Sequence, residues 1–254
     1  MAEYSFSARR KQIAGFLSQN GEADVETLAK ITGASDATIR RDLLELEKAG
    51  IILRTYGGAK IASEESLVAR TFGQRDQLQG AAKQAIAAAA AKLVKPGMTV
   101  VIDSGTTCRK LASLLADRAP LQVLTSALAV VEALGEVKDI QIIVCGGIFR
   151  LANLDFVGSM TDFSNFHADY AFLGCDSILP GRGFFADSLE SAKISANMVE
   201  CADQRIVLAD HTKFRQKADY RFLTFAETGT LYTDKGLPAE DFEQLCKDCR
   251  VVCC

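Results

Sequence analysis

Ser35-Asp36-Ala37-Thr38-Ile39-Arg40-Arg41-Asp42-Leu43 reads as a helix that begins with its own cap and sets two arginines side by side. The Ser35 hydroxyl suits the free N–H groups of a first helical turn. Ile39, Leu43 and Leu46 recur at helical spacing and mark a buried stripe. At about 100° per residue this leaves Ala37, Thr38, Arg41 and Lys48 on the opposite face and Arg40 on a flank. Small residues, a hydroxyl and arginine near the N-terminus of a short helix fit a DNA major groove. A surface helix with a solvated arginine pair has the same local pattern, so the neighbouring segments decide.

Upstream, Ser7 to Gln19 carries Ile13, Phe16 and Leu17 on one helical face, and Asp24 to Ile31 reads as a capped second helix. Thr32-Gly33-Ala34 is then the tight turn of a helix-turn-helix. Downstream, Ile51-Ile52-Leu53-Arg54-Thr55-Tyr56-Gly57-Gly58-Ala59-Lys60-Ile61 is β-rich and broken by Gly-Gly, a hairpin signal. Three helices and a basic wing make a winged helix-turn-helix. Its expected DNA contacts are Ser35, Ala37, Thr38, Arg40, Arg41 and Lys48, with Arg54, Tyr56 and Lys60 of the wing near the backbone.

These residues resemble the signature of the DeoR family of bacterial transcriptional regulators. Arg9, Ile13 and Leu17 stand four residues apart, and Ser35 introduces Thr38-Ile39-Arg40-Arg41-Asp42-Leu43. In the wing, Leu53-Arg54 precedes Gly57-Gly58-Ala59 as in the family.

With 254 residues the chain has room for two modest domains, and its hydrophobic content of 48% is that of a globular protein. A net charge of -3 excludes binding to nucleic acid by bulk positive charge, so affinity must come from a local face and from pairing two such faces. The polar N-terminus lacks a signal peptide's apolar core, and Ala81 to Val94, the nearest approach to a membrane span, is Ala-rich and interrupted by Lys83 and Lys92. A cytoplasmic protein without membrane contact is expected. Of the 8 cysteines, Cys108, Cys145, Cys175 and Cys201 read as reduced thiols, three of them within apolar runs. Cys246, Cys249, Cys253 and Cys254 are denser, but a zinc site needs two separated ligand pairs and the only histidines are His167 and His211. No metal and no cofactor is expected.

Residues 1–61 are thus the DNA-binding domain, 62–78 a linker, and 79–254 a second domain in which helices and strands alternate. The expected strands are Thr99 to Asp103, Leu121 to Thr125, Ile140 to Val144, Tyr170 to Gly174 and Arg205 to Ala209. Alternation of this kind predicts an α/β domain with a mainly parallel sheet covered on both faces. Its chemistry belongs at the carboxyl ends of the strands. Asp103-Ser104-Gly105-Thr106-Thr107 joins a strand to a helix N-terminus, where glycine, hydroxyls and free N–H groups suit a phosphate. The segment lacks the lysine and spacing of a nucleotide P-loop, and no dinucleotide fingerprint is present. Thr125, Ser126, Gly146, Gly147, Asp210 and Lys213 fall at other strand ends, and Glu190 and Lys193 open a later helix. Lysines for a phosphate and carboxylates for hydroxyls suit a phosphorylated sugar or polyol.

Arg75, Lys83, Asp103 to Thr107, Gly146-Gly147, Asp169 to Gly174, Glu190, Lys193 and Asp210 to Phe214 are also similar to the DeoR-type sensor domain, which resembles ribose-5-phosphate isomerase. The family usually has Asn where this chain has Gln79 and Ser126. The resemblance implies a regulator, most often a repressor of a carbohydrate operon. It would bind operator DNA through the wing domain and a phosphorylated effector through an isomerase-like sensor domain, and would assemble as a homodimer or homotetramer. The alternative is an aldose–ketose isomerase, with Asp103, Glu190 or Asp210 moving the proton and Lys213 polarising the carbonyl. A DNA-binding dimer without a ligand is a third reading.

Overall fold

A computed structural model describes residues 8–48, 51–61, 72–158 and 162–254, and the chain divides into two compact units, Met1–Leu78 and Gln79–Cys254. In the first, α1 (Ala8–Asn20) leads through β1 (Glu22–Asp24) into α2 (Val25–Thr32) and α3 (Asp36–Lys48), followed by the hairpin β2 (Ile52–Thr55) and β3 (Gly58–Ile61). Asp24 caps α2 by accepting from the Thr27 N–H at 2.7 Å, and Gly33 ends it with a φ of +68°. Ile13, Leu17, Val25, Leu28, Ile39, Leu43, Leu46 and Ile52 meet in one core, each contributing about 1.5–3 kcal/mol by leaving water.

Two features of this unit depend on contacts remote in sequence. The segment Glu22–Asp24 has no strand pattern, yet it pairs with β3 to give the sheet order β1-β3-β2. The approach is so close that a Cβ on Gly58 would lie 2.2 Å from the Ala23 carbonyl oxygen. Asp42, on the inner side of α3, is 3% exposed and receives both Arg9 and Arg10 of α1, the latter at 3.0 Å. Arg9 therefore serves packing between helices.

Of the expected linker, residues 62–71 lie outside the described residues, while Phe72–Gln77 forms the short helix α4, with Phe72 buried. The second unit then opens with α5 (Gly80–Ala91), which ends three residues before the Ala81 to Val94 pattern does because Lys92 to Val94 turn into the Pro96-Gly97 corner. Gln79, its N-cap, has a φ of +52°. Asn tolerates that left-handed conformation better than Gln does.

Seven strands form the main sheet in the order β15-β14-β12-β9-β4-β5-β6, every neighbouring pair parallel. They are β4 (Thr99–Ile102), β5 (Leu121–Thr125), β6 (Ile140–Val144), β9 (Ala168–Leu173), β12 (Ala202–Leu208), β14 (Thr230–Thr233) and β15 (Val251–Cys253). Burial alternates between the faces. Val100, Ile102 and Val123 pack with α5, α6 (Thr106–Ser113) and α7 (Leu128–Leu134). Val101, Leu124 and Val207 pack with α8 (Leu189–Glu200), α9 (Ala239–Asp248) and the small antiparallel sheet of β10 (Ser177–Leu179), β11 (Gly183–Ala186) and β13 (Tyr220–Leu223). A two-stranded hairpin, β7 (Ile148–Arg150) and β8 (Asp155–Val157), stands apart from both sheets. These short antiparallel pieces and the two last strands were not legible as strands, being only three or four residues long.

Replacing Asp42 by Asn is expected to weaken the first unit by about 1.5–3 kcal/mol, the range for hydrogen bonds to charged groups. Burial pushes the Asp42 carboxyl up, but Arg9 and Arg10 outweigh it and hold the pKa below its ordinary value. The stabilisation is therefore complete above the unfolded value near pH 4 and fades as pH falls below it. Amide exchange at Ile39 and Leu43 checks both points. Equal protection in Asp42→Asn and wild type at pH 6 contradicts the assignment.

Candidate functional site

On α3, Ser35 does cap the helix: its Oγ lies 3.4 Å from the Thr38 N–H and 2.9 Å from the Thr38 hydroxyl. Thr38 is consequently half-buried and occupied. The free face is formed by Ala37, Arg40, Arg41 and Leu44, all exposed. Arg40 was expected on a flank but shares this face with Arg41, because the helix turns its Asp42 side, one residue on, into the core. The Lys48 side chain lies outside the described residues. In the wing, Tyr56 and Gly57 make the two-residue turn between β2 and β3, with Tyr56 fully exposed at the tip. Lys60 is exposed on β3, and the buried Nε of Arg54 has no hydrogen-bond partner among the described residues.

In the second unit the parallel sheet carries Asp103, Thr125, Gly146, Gly174, Asp210 and Asp234 at or just beyond its strand ends, on one side. Gly105 adopts a φ of +109° as it starts α6, and no side chain caps that helix. The glycine is required by its backbone angle and not by crowding, since a Cβ there would meet nothing within 4 Å. Thr106 and Thr107 form the buried first turn.

Asp103 is the most enclosed group of the site. One carboxylate oxygen accepts the Ser104 N–H at 2.7 Å, and the other accepts the Gly174 N–H at 3.2 Å and the Ser195 hydroxyl at 3.3 Å. Burial raises its pKa to about 7; the field of Asp155 adds to this, against the three hydrogen bonds. Asp155 is itself buried and gripped by Arg150, Nε at 2.9 Å and Nη2 at 2.6 Å. The same guanidinium donates to Ser188 at 3.2 Å and to Ser191 at 2.9 Å. Burial works against the Arg150 charge, but Asp155 more than restores it and the pKa is raised. Arg150 and Asp155 thus tie the hairpin to the start of α8, while the Phe156 N–H donates to the Ser126 carbonyl and the Leu128 N–H to the Leu154 carbonyl. The hairpin runs from the end of β5 to α8 across this edge.

At the other end of the edge, Lys213 stands 3.9 Å from Asp176. Asp210 is 2% exposed and its carboxylate caps the turn His211–Lys213 through the Thr212 N–H at 3.0 Å and the Thr212 hydroxyl. His211 Nδ1 sits 2.7 Å from Asp234, whose hydrogen bond raises the imidazole pKa. Burial pushes the Cys175 thiol above the ordinary range; Lys213, Asp176, Asp210 and Asp103 all act on it, so these groups share one neighbourhood.

Several expected ligand groups are placed otherwise. Thr125 is fully buried, its hydroxyl donating to the Ile102 carbonyl at 2.7 Å and accepting the Ala127 N–H at 3.0 Å, so it joins β5 to β4 and has no proton left to donate to a ligand. Ser126 is buried as well. Gly147, Glu190 and Lys193 are exposed. On α8 it is Ser188, Ser191 and Ser195 that face the edge. Their spacing of three and then four residues was the available signal, masked by the charges of Glu190 and Lys193. Arg150 was missed because a lone arginine after Gly-Gly has no periodic context. Among the described residues no group of three or more metal-ligating side chains assembles, the C-terminal cysteines included, and no helix is long and apolar enough to cross a membrane.

Residues 9–65 match the model of the DeoR-like helix-turn-helix domain, and residues 78–235 that of the DeoR C-terminal sensor domain. The chain belongs to the DeoR family of DNA-binding transcriptional regulators. A protein of Escherichia coli O157:H7 that bears the name of an aga operon transcriptional repressor is 34% identical over 95% of this chain and 91% of its own. The glycerol-3-phosphate regulon repressor of Escherichia coli K12 is 30% identical over 93% and 94%. A solved ribose 5-phosphate isomerase A from Methanocaldococcus jannaschii is a remote likeness, 18% identical with a TM-score of 0.40 over 53% of this chain and 54% of that one; this distance bears on no activity.

The enclosure of Asp103 has a measurable consequence. Its folded pKa lies above the unfolded value near 3.9, so the stability attached to its neutral form is complete below that value and is lost as pH rises through about 7. Asp103→Asn, which cannot ionise, is expected to show a Tm profile between pH 5 and 8 that lacks this decline. Parallel profiles for the two proteins would place the Asp103 carboxyl in a far more solvated setting.

Proposed function

We propose that this DeoR-family regulator represses a carbohydrate-metabolism operon in the cytoplasm and is released or retained on its operator by a phosphorylated sugar or polyol. The observation that supports this reading is the placement of Arg150, the uncapped N-terminus of α6 and Lys213 along one sheet edge lined with carboxylates and serine hydroxyls. Phosphate suits the Gly105-Thr106-Thr107 turn, where helix N–H groups and the dipole favour an anion. Lys213 neutralises it as a point charge, and acids such as Asp176 accept sugar hydroxyls. The names of the two relatives favour repression. Regulation requires that effector bind one conformation of the protein better than the other.

The same geometry favours holding the ligand over converting it. An isomerase base must reach a carbon-bound proton within about 3 Å. Asp103 already holds three hydrogen bonds, and Asp210 is engaged in capping its own turn. Incubating the protein with those pentose, hexose and triose phosphates that raise its Tm, and following each by NMR, is expected to show binding without product. Steady turnover on the order of 1 per second, lost in Lys213→Ala, supports the isomerase instead.

On DNA, Arg41→Ala and Arg40→Ala are each expected to weaken operator binding by about 1–3 kcal/mol where the guanidinium reads a base. Lys60→Ala is expected to weaken all sequences alike and to flatten the salt dependence. Wild-type affinity in an Arg40, Arg41 double alanine variant, measured by anisotropy at fixed salt, removes α3 as the reading helix. Transcription from the operator in a reconstituted system settles the sign, a rise on adding the protein being incompatible with repression.

A further inference from the structure

The exposed large apolar side chains of the second unit are not scattered. Among the described residues they are Val144, Ile148, Phe149, Leu151, Leu189 and Tyr220. Four of the six fall within residues 144–151, at the end of β6 and on the β7–β8 hairpin. Ile148 and Leu151 are 72% and 76% exposed. Leu189 borders the same surface, because Arg150 of the hairpin donates to the adjacent Ser188. Phe149 leans on Phe156 with ring centroids 5.4 Å apart, so the hairpin presents a packed surface. Next to it lies β6, the last strand of the main sheet, and no other described strand pairs with its outer edge. Bare strand edges with apolar residues are ordinarily covered.

We propose that this hairpin and the β6 edge form the interface with a second copy of the same chain. On a two-fold axis each group of a patch meets the patch's own copy, so any net charge repels itself. From Val144 to Gly158 the only charges are Arg150 and Asp155, and they neutralise one another in a bidentate pair. Bordering it, Asp187 and Glu190 both act on Arg150, and Lys193 of α8 has the opposite sign and can pair with Glu190 across such an axis. The surface offers neither the cations that DNA phosphates require nor a basic face for anionic lipid. Its exposed apolar area is on the order of 400 Å², among the largest patches on a typical monomer and about half of one partner's share in a standard interface. The remainder falls to a polar rim, as interfaces ordinarily have. The assignment rests on the reading that operator binding draws on the pairing of two DNA-binding faces. It adds a physical link, since Arg150 connects this surface to the edge proposed for the effector.

The test is the mass of the full chain by sedimentation, without DNA or effector, so that it does not depend on either ligand. Wild type is expected to be a dimer or larger. Ile148→Glu combined with Leu151→Glu is expected to raise the dissociation constant at least about 100-fold while circular dichroism and Tm stay near wild type. A monomeric wild type, or an unchanged mass in the double variant, overturns the proposal. Should the double variant unfold, amide exchange of wild type decides. Protection of residues 144–151 that is lost on dilution through the dissociation range supports the interface, and protection independent of concentration refutes it.

Discussion

Seven parallel strands buried on both faces leave a protein one edge at which to do chemistry. Val100 and Val101 are both fully buried, one toward each covering layer, so the middle of the sheet is apolar on both faces. Because every neighbouring pair is parallel, all carboxyl ends arrive on the same side, and the residues that follow them are brought together although up to 131 positions separate Asp103 from Asp234. The position of the site is therefore a consequence of chain direction. Its chemistry is a consequence of the particular residues at the strand ends.

Concentrating acids at such an edge has an electrostatic cost, and the second unit meets it in three ways. Asp155 is neutralised by Arg150, Asp234 is joined to His211, and Asp103, which has no cation beside it among the described residues, rises toward neutrality. Desolvation decides the last case because three hydrogen bonds to the carboxylate do not offset full burial. A site poised in this way suits recognition of a charged, hydroxyl-rich ligand, and the Arg150–Asp155 pair gives a ligand something to perturb. Asp42 solves the corresponding problem in the first unit with two arginines, which leaves Arg40 and Arg41 of the same helix free of that duty.

How far the sequence could be read depended on whether a residue's role was set by its near neighbours. The helix cap at Ser35, the stripe Ile39–Leu43–Leu46, the glycine turn at Gly33, the two-residue wing turn and the five long strands are local patterns, and the DeoR signature is built from several of them. Caps, turn residues and hydrophobic periodicity together determined that there would be a winged helix-turn-helix followed by a covered parallel sheet. Tertiary structure decided the rest. Glu22–Asp24 became a strand only because β3 had a free edge. Thr125 proved to be a strand-end fastener because the Ile102 carbonyl lies within reach of its hydroxyl. Serines of α8 replaced its charged residues at the edge because the helix's orientation is set by its packing on the sheet, and Arg150 gained its role from partners up to 41 positions away. Periodicity records which face of an element is buried; it does not record what that face meets, which depends on the three-dimensional path of the whole chain.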